Sequence, residues 1–170
     1  MKKAVLFIGF AILAVFVSKS QTVFTDPVLY NDYIVKQQTM IGEKITNFSS
    51  CLANENRTKE EAQTSYSDLL KVIDKAIENT KNITIYKDKQ GNGDFDLKTN
   101  ALSLFKFYRE YVSEVYSIAL EEVFKTTPDY TKFTEKNTVY TEKEKNFDEK
   151  FLSSQKKFAE FYHFTLETEE

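Results

Sequence analysis

The stretch Asp88-Lys-Gln-Gly-Asn-Gly-Asp-Phe-Asp96 comes closest to residue types and spacing that could do chemistry with a ligand. Numbered as a calcium loop, it places Asp88 first, Asn92 fifth, Gly93 sixth, Asp94 seventh and Asp96 ninth. Oxygen donors at alternate positions around a tight glycine turn suit a hard cation. The match is partial. Gln90 stands where a third acid is usual, and Thr99 where a bidentate glutamate closes the loop. The competing reading is a glycine turn in which Asp94 or Asp96 caps the helix that follows. Asp88, Asn92, Asp94 and Asp96 are therefore metal-ligand candidates of the weaker kind, and tight calcium binding is not expected.

Other reactive constellations are thinner still. Glu160-Phe-Tyr-His163 has the spacing of a di-metal bundle motif, which needs one such pair from each of two helices. The chain has one histidine, so a second pair cannot form. The same count rules out a histidine-based triad and a multi-histidine zinc site. His163 reads as a partly exposed residue near a helix C-terminus, where its charge meets the dipole favourably. Cys51 is the single cysteine, so no intramolecular disulfide framework exists, and its place on an apolar stripe reads as a small buried hydrophobe. No nucleophile elbow, Walker loop or paired-cysteine motif occurs. Tyr108, Tyr111, Tyr140 and Tyr162 could offer hydroxyls to a ligand, but aromatics at helical spacing read first as core. No catalytic residue and no cofactor is expected.

The elements that must position these residues are long helices. After residue 20, glycine remains only at 42, 91 and 93, and proline only at 27 and 128. Asp26-Pro27 opens a first helix with a cap and a proline. It carries Tyr30, Ile34, Ile41, Ile45, Phe48 and Leu52 on one stripe and ends near Asn54 to Asn56. Gly42 inside it suggests close approach by another helix. Thr58-Lys-Glu-Glu61 is a capping box opening a second helix, which fades at Asn79 to Asn82. Ile83 to Tyr86 reads as extended. A third helix runs from Asp94 or Asp96 to Thr126. A fourth starts at Thr127-Pro128 with an aromatic seam of Phe133, Tyr140, Phe147, Phe151, Phe158 and Tyr162. The polar run from Asn137 to Asp148 is a candidate break. Short connections make neighbours antiparallel. The expected fold class is all-α, an antiparallel up-down four-helix bundle.

Residues 1–20 read as a signal peptide. Lys2 and Lys3 precede fourteen unbroken apolar residues, Ala4 to Val17, and Ser18 and Ser20 are small. The run is short of the roughly 20 apolar residues of a confident membrane span. Residues 21–170 are then one helical-bundle domain with no stable membrane span. Gln21 stands where a lipoprotein would have cysteine, which argues against lipidation. Removing Lys2, Lys3 and Lys19 takes the formal charge from −3 to −6. Acids and lysines alternate and only two arginines occur, so a nucleic-acid partner is not expected.

Tyr30-Asn-Asp-Tyr33, Gly93-Asp-Phe-Asp-Leu97 and Leu104-Phe-Lys-Phe-Tyr108 are short motifs in which the chain resembles a loosely defined family of small exported helical bacterial surface proteins. The resemblance implies an envelope location and carries over no catalytic residues. The expectation is a non-enzymatic periplasmic, surface-exposed or secreted module that binds an envelope or extracellular protein or ligand. The alternative is a metal- or small-ligand-binding protein using the Asp88–Asp96 loop or the tyrosine-rich core.

Overall fold

The computed structural model describes residues 21–166; the expected signal peptide lies outside the described residues. The elements are α1 (Pro27–Ala53), α2 (Lys59–Lys81), α3 (Leu97–Tyr111), a π-helical turn (Val112–Tyr116), α4 (Ser117–Glu122) and α5 (Thr131–Tyr162). α3, the π turn and α4 follow one another without a gap. The described chain is all-helical, with one isolated parallel bridge between Thr22 and Ile83.

Local chemistry sets two of the helix starts as the sequence indicates. Asp26 Oδ1 accepts from the Val28 and Leu29 amides at 2.7 and 3.1 Å, with Pro27 just inside the helix. Thr58 and Glu61 bond reciprocally, at 3.1 and 2.8 Å, in the expected capping box. The segment after α2 is extended. The Thr22 amide donates to the Asn82 carbonyl (3.0 Å) and the Thr84 amide to the Thr22 carbonyl (2.8 Å). These bonds tie the first described residues to the connection between α2 and α3.

Four expectations need correction. The third helix does not reach Thr126: α4 ends at Glu122, whose buried carboxylate accepts from the Asp129 amide (3.0 Å) and pairs with Lys125. That bond curls the chain back before Thr127-Pro128 can open a helix. α5 instead begins at Thr131, whose amide donates to Asp129 Oδ1 at 2.9 Å. Asp129 thus performs the role the sequence suggested for Thr127. The candidate break between Asn137 and Asp148 is absent, and α5 is continuous over 32 residues. Tyr140 and Phe147 hold its polar middle, each stacked on Phe107 of α3. Finally, no heavy atom lies within 4 Å of where a Cβ on Gly42 would sit, so no helix of the described chain approaches there.

The core is continuous and rich in aromatic rings. Tyr30, Phe48, Phe105, Phe151 and Phe158 are fully buried beside Ile34, Leu69 and Leu104. Hydrogen bonds fix which helices are neighbours. Asn79 of α2 reaches Gln37 of α1 (2.9 Å), and Arg109 of α3 pairs with Asp74 of α2 (2.8 Å). Between α3 and α5 the bonded pairs are Asn100 with Lys150, Tyr108 with Asp148 and Tyr111 with Asn137. One number rises as the other falls.

Candidate functional site

The Asp88–Asp96 loop is held by its own atoms. Asp88 Oδ1 accepts from the Gln90 and Asn92 amides, at 3.0 and 2.8 Å, and Oδ2 accepts from Asn92 Nδ2 at 2.8 Å. The Asn92 side chain foremost, with these amides, holds the Asp88 carboxyl below its ordinary range. Gly91 takes φ +87°, a left-handed conformation in which a side chain is strained. From α5, the Tyr162 hydroxyl donates to the Asn92 and Gly93 carbonyls at 3.0 and 3.2 Å.

The four candidate ligands therefore part company. Asp88 and Asn92 face each other. Asp94 turns inward and is buried; its Oδ2 accepts from the Tyr30 hydroxyl (2.6 Å) and from the Lys98 amide (3.1 Å). Asp96 is exposed at φ 66°, directly after Phe95 at φ 53°. Of the two acids that could cap α3, Asp94 does so through its carboxylate; Asp96 makes no side-chain cap bond. Among the described residues, no three Asp, Glu, His or Cys side chains gather closely enough to hold a metal ion. Millimolar calcium is accordingly expected to leave the melting temperature unchanged. Extracellular calcium modules bind at about 10⁻⁴–10⁻³ M, so a real site would show there. A saturable rise abolished by Asp88→Ala would overturn this.

Of the candidate tyrosines, Tyr108, Tyr111 and Tyr140 are core and Tyr162 is half-buried, and their hydroxyls are engaged inside the chain. Tyr108 donates to Asp148 (3.2 Å), Tyr111 to Asn137 (2.7 Å) and Tyr140 to Glu110 (2.8 Å). Buried tyrosine hydroxyls ordinarily find such partners. Phe107 stacks on Phe147 at 4.7 Å, and Tyr111 on Tyr140 at 5.3 Å, forming a ring ladder between α3 and α5.

His163 ends α5 in the left-handed region at φ 58°. Its amide donates to Glu160 and the Phe164 amide to Ala159, the pairing of a Schellman cap, and Phe164 packs edge-on against Phe158. The imidazole is exposed and the residue works as a helix stop. Cys51 is half-buried and free, less enclosed than its stripe suggested.

Compared with protein-family models, curated proteins and solved structures, the chain matches none of them.

One pair of residues escaped the sequence reading. Glu144 and Asp148, one helical turn apart on α5, are both half-buried. Burial raises both carboxyls above their ordinary range, and the Asp148 charge raises Glu144 further. Their signal was available: acids among the inward positions beside Tyr140 and Phe147. A carboxyl held more tightly protonated in the folded chain weakens the fold when ionised, and the weakness is relieved as pH falls through the raised value. Glu144→Gln is therefore expected to raise the melting temperature at pH 7, with the gain shrinking towards about pH 4, where the native glutamate also carries its proton. A gain equal at both pH values would show that charge is not the cause.

Proposed function

We propose that this chain is a non-enzymatic, exported helical module of the cell envelope that acts by binding a partner, folded as an antiparallel up-down four-helix bundle. In this reading α3, the π turn and α4 count as one rod, which makes four rods with α1, α2 and α5. The opposed numbering of bonded residues between α3 and α5 supports the antiparallel order. The Lys2-Lys3 pair and the run from Ala4 to Val17 support export.

The observation that carries the binding reading is the employment of the polar side chains. The loop carboxylates Asp88 and Asp94 and the hydroxyls of Tyr30, Tyr108, Tyr111 and Tyr140 are engaged by partners within the chain. They maintain the fold, and recognition is left to the outer surface. The experiment is capture of a partner from envelope extract by the immobilised full chain, competed with excess free chain. Competed retention of one protein supports the reading. Retention unaffected by competitor, or a native protein that begins at Met1 and fractionates with the cytoplasm, overturns it. A saturable calcium effect in the melting experiment above would instead favour the metal-binding alternative.

A further inference from the structure

Asn92-Gly93 is the single place in the chain where glycine follows asparagine. Asparagine is among the thermally labile residues, and a following glycine favours its loss of the amide. The glycine backbone nitrogen reaches the asparagine side-chain carbonyl carbon easily, because no Cβ shields it. Its bond to that carbon closes a five-membered imide ring, the Cγ–Nδ2 bond breaks, and ammonia leaves. Water then opens the ring at either carbonyl, giving aspartate or isoaspartate. A water enters, an ammonia departs, and nothing is oxidised or reduced.

The two partners in that reaction are held very differently. Asn92 is exposed yet heavily bonded. Its amide donates to Asp88 Oδ1 and its Nδ2 to Asp88 Oδ2, both at 2.8 Å. Its carbonyl accepts from the Asp88 amide and from the Tyr162 hydroxyl, both at 3.0 Å. Gly93 is looser. Its amide donates to no atom of the described chain. No heavy atom lies within 4 Å of where a Cβ on Gly93 would sit, and Gly91, not Gly93, takes the positive φ. The attacking nitrogen is thus available, while Nδ2, the nitrogen that must leave, is the atom that Asp88 holds.

We propose that Asn92 is a site of spontaneous amide loss through the Gly93 nitrogen, gated by the bonds that Asp88 and Tyr162 make to Asn92. The conversion is one-way for the loop. Aspartate at 92 would set a carboxylate oxygen against Asp88 Oδ2 in place of a donor, two like charges at hydrogen-bonding distance. Isoaspartate would add a methylene to the main chain and displace the carbonyls of residues 92 and 93 from Tyr162. Either product loosens the tie between the loop and the last turn of α5. The inference goes beyond the binding reading and does not depend on it.

Trypsin releases Gln90 to Lys98 as a peptide in which Asn92 is the sole asparagine. The full chain is held in mildly alkaline buffer and digested at intervals. The peptide is then resolved into its asparagine, aspartate and isoaspartate forms. Both acidic forms are expected, accumulating faster than at any other asparagine of the folded chain. Asp88→Ala should speed the loss several-fold. Tyr162→Phe, which leaves Asp88 in place, should speed it less. Gly93→Ala, whose methyl group meets no neighbour, should keep the fold and slow the loss several-fold. Asn92→Asp, which reproduces one product, should melt below the native chain at pH 7. Equal rates in the native chain, Asp88→Ala and Tyr162→Phe overturn the gating. A rate unchanged by Gly93→Ala, or aspartate as the sole product, overturns the route through Gly93. Loss no faster than at the other asparagines removes the site, and an unchanged melt of Asn92→Asp overturns the effect on the loop.

Discussion

Phe105→Ala is expected to lower the unfolding free energy by about 3–5 kcal/mol, as truncation of large aromatic core residues does. Phe105 is fully buried on α3, in the same core as Leu104, Leu69 and Phe151. Dense packing on all sides leaves the neighbours little freedom to close the void. Whole domains are stable by about 5–15 kcal/mol, so the variant should sit close to its limit of folding. Denaturant melts of the two proteins measure the difference. A loss below about 1 kcal/mol, the scale of surface substitutions, would mean that the ring is not enclosed as described.

The second large effect belongs to a single carboxylate. Asp94→Ala is expected to destabilise by about 2–4 kcal/mol, combining a charge-assisted hydrogen bond with a lost helix cap. The substitution strands the Tyr30 hydroxyl, on a residue with no exposure, and frees the Lys98 amide at the start of α3. Burial first, and the Asp94 contact second, push the Tyr30 hydroxyl far above its ordinary pKa, so it stays protonated and able to donate. A double-mutant cycle with Tyr30→Phe isolates the bond. Coupling below about 0.5 kcal/mol, the lower limit for residues sharing a bond, would assign the loss to capping alone. Asp96→Asn should be nearly silent, because asparagine tolerates the left-handed backbone that Asp96 adopts.

These two residues also show what a sequence can and cannot reveal. Phe105 was legible, because a helix imposes a period and the period identifies the inner face. The caps at Asp26 and Thr58 were legible too, since each acts within three residues of itself. Asp94 was legible only as one of two possible caps. Its partner Tyr30 lies 64 residues away, and no local pattern encodes that meeting. The end of α4 failed for the same reason. Glu122 reaches seven residues forward to Asp129, which decides the turn against the proline signal at Thr127-Pro128. Gly42 shows the opposite limit. A small residue permits close approach, yet nothing in the described chain comes near it. For the loop, the calcium-like spacing was visible, but the inward turn of Asp94 was not.

The hydroxyl pairs of the core carry a consequence in alkali. Burial foremost pushes Tyr116, Tyr140 and Tyr162 up to about 12 and Tyr108 higher still, and neighbouring carboxylates add to the rise in Tyr108 and Tyr140. An unfolded tyrosine ionises near 10. Stability from these groups is whole below that value and drains away as pH climbs towards the folded ones. The ultraviolet absorbance of phenolate should therefore rise steeply as the helices come apart, at a higher pH than in the unfolded chain, whose tyrosines ionise near 10. In a chain with ten tyrosines and no tryptophan, the colourless act of unfolding acquires its own indicator dye.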